Sequence, residues 1–133
     1  MRRYHVDGSP PNAGEVFVFG SNLSGLHVGG AARAAHDLYG ALWGVAEGRE
    51  RMSYAIPTVQ KNIAGPLPLQ DIKMAVERFL RYAYFKKERW FFVTRVGCVL
   101  AGHRDADIAP MFSAAPPNCS LPDPWQQFLE KKS

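Results

Sequence analysis

Apolar residues follow two different periodicities along the chain. Residues 15–19 are all apolar after Glu15, and such a run is typical of a strand buried on both faces of a sheet. Shorter apolar runs predict strands at 53–58 and 90–96, where Pro57 limits the first of these to a strand end or a sheet edge. Residues 69–85 carry apolar side chains at three- and four-residue spacing, which predicts an amphipathic helix.

Further helices are predicted beside these strands. Small apolar side chains share one face over residues 30–39, and a short helix is expected near residues 108–112 and another at 124–129. The proline-rich segment 116–122 predicts an extended connection. Strands separated by helices indicate an α/β fold, namely a three-layer α/β/α sandwich with a mostly parallel sheet. The length of 133 residues and 47% hydrophobic content predict one domain spanning residues 1–133.

Two glycine-bearing turns, at residues 20–30 and 97–102, each follow a predicted strand. A glycine turn lets backbone N–H groups approach an anion closely, and the helix behind the first turn points its positive end toward the same place. Ligands of parallel sheets bind outside the carboxyl ends of the strands. We therefore predict a phosphate-holding site at the two turns. The candidate ligand-binding residues are Gly20, Asn22, His27, Gly29, Gly30, Ala31, Gly97, Cys98, Val99, Leu100, Ala101, Gly102 and His103.

Several classes of protein are not supported. The chain contains neither the dinucleotide fingerprint G-x-G-x-x-G nor the phosphate loop G-x-x-x-x-G-K-S/T, so a Rossmann dehydrogenase and a nucleoside triphosphatase are disfavoured. Cys98 and Cys119 are too few for a disulfide framework or a cysteine-based zinc site, and we expect no metal and no cofactor. No apolar run reaches the length of a membrane span or a signal peptide, which predicts a cytoplasmic protein without a membrane partner.

The charge of the chain permits an anionic partner. The formal net charge is +4 and the pI is near 9.3. Much of the excess of positive over negative charge lies at residues 2–3, 86–89 and 131–132. Termini and loop ends are ordinary places for solubilising charge. No aromatic-interleaved basic motif accompanies these clusters, so we expect a solvated basic surface that binds nucleic acid only weakly at physiological salt. Nucleic-acid binding is kept as a second alternative function.

Residues 94–102, followed by Ile-Ala-Pro at 108–110, resemble the macrodomain diphosphate loop, which is written I-G-C-G-L-x-G. Asn22 and the later Gly-Gly-Ala-Ala at 29–32 are similar to the loop by which macrodomains hold the distal ribose and diphosphate of ADP-ribose. The resemblance spans about residues 16–112. It is closest to the branch of the terminal ADP-ribose glycohydrolase and bacterial DNA-ADP-ribose hydrolases, and to short phage and bacterial proteins.

This resemblance implies a ligand and partners. The ligand is ADP-ribose or a related nucleotide diphosphate ribose, and the candidate partners are ADP-ribosylated protein or nucleic acid. For a phage-encoded chain, the implied location is the host cytoplasm.

The chain departs from the hydrolase branch at two positions of the second turn. The catalytic aspartate expected before the last glycine is replaced by Ala101, and Val99 replaces the middle glycine. The branch also uses a lysine after the second strand, for which Lys61 is the nearest candidate. His27 is a second catalytic candidate, because histidine exchanges protons near neutral pH. The first hypothesis is accordingly an ADP-ribose-binding module, and the alternative is a slow ADP-ribosyl hydrolase.

Overall fold

The structure, a computed structural model, describes residues 2–130, so the basic pair at 131–132 lies outside the described residues. Within them, six strands form one sheet in the order β1-β6-β5-β2-β4-β3. Every neighbouring pair is parallel except β3 with β4. The expected α/β fold with a mostly parallel sheet is confirmed. The strands are β1 (Arg3–His5), β2 (Glu15–Asn22), β3 (Gly48–Glu50), β4 (Ser53–Val59), β5 (Trp90–Val93) and β6 (Cys119–Pro122).

Helices connect the strands and cover the sheet. The α-helices are α1 (Gly30–Leu38), α2 (Leu69–Phe85), α3 (Asp105–Ile108) and α4 (Gln126–Leu129). Short 3₁₀ turns occur at Lys61–Ile63, Ala109–Phe112 and Asp123–Trp125. The bounds of α2 are those that the apolar spacing predicts. No helix in residues 2–130 is long and apolar enough to cross a membrane.

The central strand β2 is buried on both faces, as its continuous apolar run predicts. Val16 and Val18 join the larger core beneath α2, whereas Phe17 and Phe19 face the smaller cluster beneath α1. In that smaller cluster α1 contributes alanines, whose short side chains let a helix lie close to a sheet. The first glycine turn is thereby held at the carboxyl end of the best-buried strand.

Two segments differ from the structure predicted for them. The strand predicted at 90–96 ends at Val93, where the chain turns into the second glycine turn. Segment 116–122 is not wholly an extended connection, because Cys119–Pro122 pairs with β5 and β1 as strand β6. Its pairing partners come from distant parts of the chain, so no local pattern marks it. Pro57 lies inside β4 rather than at its end, but the edge strand β3 pairs only with Ser53–Ala55. Beyond Ala55, this side of β4 is next paired at Thr58 and Val59, by residues 66–67. Pro57 therefore lies at an edge of the sheet, as predicted, where a strand proline is tolerated.

Candidate functional site

A cleft of about 460 Å³ opens at the carboxyl ends of β2 and β5. Its walls are the start of α1, the second glycine turn and the loop of residues 7–11. Its floor includes Phe17 and Phe92, whose rings are stacked with centroids 6.3 Å apart. The volume lies within the range usual for small-molecule sites.

Asn22 fixes the shape of the first turn. Its Nδ2 donates to the Leu26 carbonyl at 2.6 Å, and its Oδ1 accepts the N–H groups of Ser24 and Leu26 at 3.1 and 3.0 Å. The side chain is buried and does not line the cleft. Its amide is therefore engaged by the turn itself.

The start of α1 presents backbone N–H groups to the cleft. Gly30 begins the helix with φ +57°, and Gly29 precedes it without a side-chain cap. The first N–H groups of a helix have no partner within the helix. In residues 2–130, the N–H groups of Gly30, Ala31 and Ala32 have no backbone or side-chain acceptor, and all three residues line the cleft. The positive end of the α1 dipole points to the same place.

The second turn supplies a second row of N–H groups. The N–H of Cys98 bonds the Arg95 carbonyl at 3.2 Å, and that of His103 bonds the Gly97 carbonyl at 2.9 Å. Between them, the N–H groups of the three cleft residues 99–101 have no acceptor in the part of the chain that the structure describes. A Cβ on Gly97, which has φ +77°, would lie 3.1 Å from the Ile108 side chain. Glycine at this position is therefore favoured by the backbone angle, and a Cβ there would also displace the end of the Ile108 side chain slightly.

The two turns meet across the mouth of the cleft. The Leu100 side chain lies 3.7 Å from the position that a Cβ on Gly30 would take. Gly20, on the floor between the turns, has the Gly97 backbone nitrogen 3.6 Å from its own Cβ position. The absence of side chains on these glycines keeps both rows of N–H groups open to one ligand.

A network of ionic hydrogen bonds braces the second turn. Arg95 donates from Nε and Nη2 to the two carboxylate oxygens of Asp105, at 3.0 and 2.6 Å. Its Nη1 reaches Asp7 of the loop 7–11 at 3.4 Å. Trp125 donates its indole N–H to Asp105 at 2.7 Å. The network connects the turn, the loop and the C-terminal segment, and so fixes two walls of the cleft.

The pKa values near the cleft follow from burial and from this network. Burial alone would raise the pKa of Asp105, but hydrogen bonds from Arg95, Trp125 and the Cys98 thiol outweigh it and lower that pKa. Burial raises the pKa of Cys98 to about 12, with a further contribution from Asp105. Because the thiolate is the reactive form, Cys98 is not an activated nucleophile. Burial also lowers the pKa of His5, an effect that the Glu15 carboxylate partly offsets.

About half of the candidate ligand-binding residues line this cleft, and they come from both turns. These are Gly20, Gly30, Ala31, Gly97, Val99, Leu100 and Ala101.

The two catalytic candidates lie elsewhere. His27 is buried, and its Nε2 donates to the Leu42 carbonyl at 2.7 Å, while its Nδ1 has no partner among the described residues. Lys61 is exposed in a 3₁₀ turn. Neither lines the cleft. The other candidates outside its lining are Asn22, Gly29, Cys98, Gly102 and His103; the ring of His103 bonds the Leu67 carbonyl at 2.9 Å.

Several cleft residues are not predicted from the sequence. Asp7 and Ser9 belong to a loop that follows β1, a strand of only three residues. Thr58 lies in β4 and lines the cleft, and Thr94 and Arg95, which also line it, directly follow β5. The stretch 8–14, which is rich in glycine and proline, marks this loop in the sequence. It could be assigned to the site only if β1 were also recognised as a strand.

Among the described residues, the cleft lining contains one acidic side chain, Asp7, and that carboxylate is paired with Arg95. Within residues 2–130, no group of three or more His, Cys, Asp or Glu side chains could hold a metal ion. The chemistry of the cleft is therefore that of backbone N–H donors above an aromatic floor. Comparison with known proteins assigns no family, since no protein-family model and no curated protein matches this chain.

Proposed function

We propose that this protein binds ADP-ribose, or a related nucleotide diphosphate ribose, in the cleft between the two glycine turns. The observation that carries the proposal is the convergence of two rows of backbone N–H groups without acceptors in residues 2–130, at the start of α1 and at residues 99–101. N–H groups at a helix start and in a glycine turn hold phosphate through hydrogen bonds and the helix dipole.

The charge balance of the cleft supports a ligand held mainly by the backbone. Within the described part of the chain, Arg95 is the only lysine or arginine in the lining, and it is committed to Asp105 and Asp7. A bare phosphate would gain little from such a site beyond its N–H contacts. A diphosphate flanked by nucleoside and ribose would also use the apolar walls. The hydroxyl groups of Ser9, Thr58 and Thr94 donate to backbone carbonyls, so their oxygens would serve as acceptors for ribose hydroxyls.

The aromatic residues of the cleft favour a ligand that carries a nucleoside. Phe17 packs on Tyr39 with ring centroids 4.6 Å apart, and His5 stacks on Phe92 at 3.7 Å. Phe17 and Phe92 themselves are buried, at 6 and 4% exposed, so the half-buried rings of Tyr39 and His5 that cover them offer the apolar area to a base or a sugar. A ligand that fills the cleft therefore pairs a polar centre with at least one apolar end.

The experiment is a titration of the ¹⁵N-labelled chain with ADP-ribose, followed by calorimetry. We expect the largest amide shifts at residues 30–32 and 99–101, because their N–H groups gain an acceptor. AMP and NAD serve as comparison ligands. Binding accompanied by shifts only outside these two segments would contradict the proposed placement, and the absence of binding by any of the three ligands would contradict the proposed function.

Hydrolysis of an ADP-ribosyl bond is the alternative function, and we expect it to be slow. The reaction needs a positioned acid, base or nucleophile, and general acid–base catalysis typically raises the rate by about 10²–10⁴-fold. Ala101 occupies the position where the resembling hydrolases carry an aspartate, and it lines the cleft. Binding by backbone N–H groups does not require that carboxylate.

We predict that Ala101→Asp raises the rate of ADP-ribose release from modified protein or DNA by about tenfold or more. Lys61→Ala should change the rate little, because Lys61 does not line the cleft. Time-resolved release of ADP-ribose measures both variants against the unmodified chain. Rapid turnover by the unmodified chain that is lost on Lys61→Ala would instead establish a lysine-centred enzyme.

A further inference from the structure

Aromatic and cationic side chains gather at the edge of the sheet where the strands begin. Helix α2 ends there at Phe85, residues 86–89 form a turn, and β5 begins at Trp90. Arg3 begins β1, two positions along the sheet from β5. Side chains alternate along β5, so Trp90 lies with Phe92 on the α1 side of the sheet, whereas Tyr84 and Phe85 end α2 on the other side. The turn at 86–89 joins these two groups around the sheet edge. We call this surface the amino-edge patch; its members are Arg3, Tyr84, Phe85, Lys86, Lys87, Arg89 and Trp90.

The rings of this patch are exposed and have cations beside them. Phe85, Tyr84 and Trp90 are 72, 54 and 49% exposed. The Arg3 guanidinium lies 4.2 Å from the Trp90 ring centroid, and the Lys87 ammonium lies 5.1 Å from that of Tyr84. Large aromatic side chains normally lie in the core, so three exposed rings in one short segment indicate a binding surface.

The patch is held rigidly. Buried Asn118 donates from Nδ2 to the carbonyls of Ala83 and Lys86, at 3.0 and 3.1 Å. The N–H of Arg89 closes the turn on the Lys86 carbonyl at 3.0 Å. The helix end, the turn and the strand start therefore keep a fixed arrangement, which lowers the entropy cost of binding a partner.

The patch is also electropositive. Segment 81–90 contains four lysines and arginines and a single acidic residue, Glu88. Arg3 pairs with the buried Glu15 carboxylate at 3.9 Å. Among the described residues, no carboxylate lies within salt-bridge distance of Lys86, Lys87 or Arg89. The charge pattern alone predicts a solvated surface here, but the three cations lie among exposed rings and are available to an anionic partner.

We propose that the amino-edge patch binds single-stranded nucleic acid, with bases stacked on its rings and phosphates on its cations. Proteins that bind single strands without sequence preference combine these two features. A duplex would hide the base faces from the rings. Aromatic and basic side chains also suit an anionic membrane interface, so vesicle binding is measured as the contrary outcome.

This surface borders the cleft without lining it. Trp90 begins β5 and does not line the cleft, whereas Phe92, two residues along the strand, does; two residues of strand span about 7 Å. The inference does not depend on the ligand proposed for the cleft, so a protein that fails to bind ADP-ribose still tests it.

The test is fluorescence anisotropy of the full chain with labelled dT20 and rU20 strands. At 50 mM NaCl we expect a dissociation constant of about 10 μM or tighter, and at least tenfold weaker binding to a duplex of equal length. If the three cations Lys86, Lys87 and Arg89 neutralise phosphates, affinity should fall about 20-fold between 50 and 200 mM salt. Binding of the duplex as tightly as the single strand would overturn the proposal.

Matched variants locate the site. We expect Trp90→Ala to weaken binding about tenfold or more, whereas Trp43→Ala, which removes a ring that is 50% exposed outside the patch, should change it less than threefold. Lys86→Glu with Lys87→Glu should weaken binding more than Lys61→Glu with Lys73→Glu, although the charge change is the same. Equal losses in the two double variants would indicate nonspecific attraction and would overturn the assignment.

Three further measurements distinguish the patch from the cleft and from a membrane contact. Quenching of tryptophan fluorescence by dT20 should persist in Trp43→Phe and be lost in Trp90→Phe, which keeps an aromatic ring and preserves the fold. Displacement of dT20 by ADP-ribose would place the strand in the cleft and contradict the proposal. Sedimentation with phosphatidylserine vesicles, without any binding of dT20 or rU20, would identify the patch as a membrane contact instead.

Discussion

Replacing Gly30 by glutamate is expected to abolish ADP-ribose binding, with an affinity loss of at least about 100-fold. Gly30 begins α1 at the wall of the cleft, and a Cβ there points toward Leu100. The added carboxylate would take the N–H groups of the helix start and repel a diphosphate. An acidic group at a helix start also favours the helix, so the fold should persist. Isothermal titration calorimetry measures the affinity.

The control for this variant is Gly44→Glu. Gly30 and Gly44 both have positive φ, +57° and +86°, so both substitutions strain the backbone. Gly44 does not line the cleft, and a Cβ there meets no atom within 4 Å. We expect Gly44→Glu to melt at a slightly lower temperature and to bind ADP-ribose normally. Unchanged affinity in a folded Gly30→Glu protein would exclude the proposed site.

Replacing Asp105 by asparagine is expected to lower the free energy of unfolding by about 2 kcal/mol. Asp105 accepts two hydrogen bonds from Arg95 and one from Trp125. Both members of the ion pair are less than one-third exposed, so solvent screens the pair only partly. Urea denaturation followed by tryptophan fluorescence measures the change, because Trp125 reports on the network directly.

Asp107→Asn is the matched control. Asp107 pairs with Arg104 at 3.2 Å, and the Arg104 side chain is 79% exposed. Exposed ion pairs contribute little to the free energy of unfolding. This variant should therefore change that free energy by no more than about 0.5 kcal/mol. Equal losses in the two variants would show that the Asp105 network does not support the fold.

The same network predicts a dependence of stability on pH. The pKa of Asp105 in the folded protein lies below its ordinary value of 3.8, so the folded state favours the ionised carboxylate. Its contribution is complete above that ordinary value and is lost as the pH falls through the lowered pKa. The stability difference between the native chain and Asp105→Asn should therefore be constant near pH 7 and shrink below about pH 4. A difference that grew on acidification would contradict this assignment.

The sequence patterns that could be interpreted correctly are those in which neighbouring residues share one environment. The apolar run of β2 and the spacing of α2 predicted both elements, because each repeats one burial pattern over many residues. The order of strands and helices then predicted a mostly parallel sheet, and the glycines after β2 and β5 predicted a site at its carboxyl ends. Residues from both turns do line one cleft.

Other features depended on tertiary contacts. Asn22 and His27 had the residue types of ligand-binding groups, but Asn22 holds its own turn and His27 is buried against the Leu42 carbonyl. Residues 81–90 contain aromatic and basic side chains without regular alternation, and only the packing of α2 and β5 determines which rings are exposed.

The sequence by itself thus determined the fold class and the two turns, because periodicity and glycine act locally on the backbone. Tertiary structure decided which chain segments complete the cleft. Asp7 reaches Arg95 across 88 positions of the chain, and β6 pairs with β1 across more than one hundred. Such contacts depend on the shape of the assembled sheet and leave no periodic signal in the residues that make them.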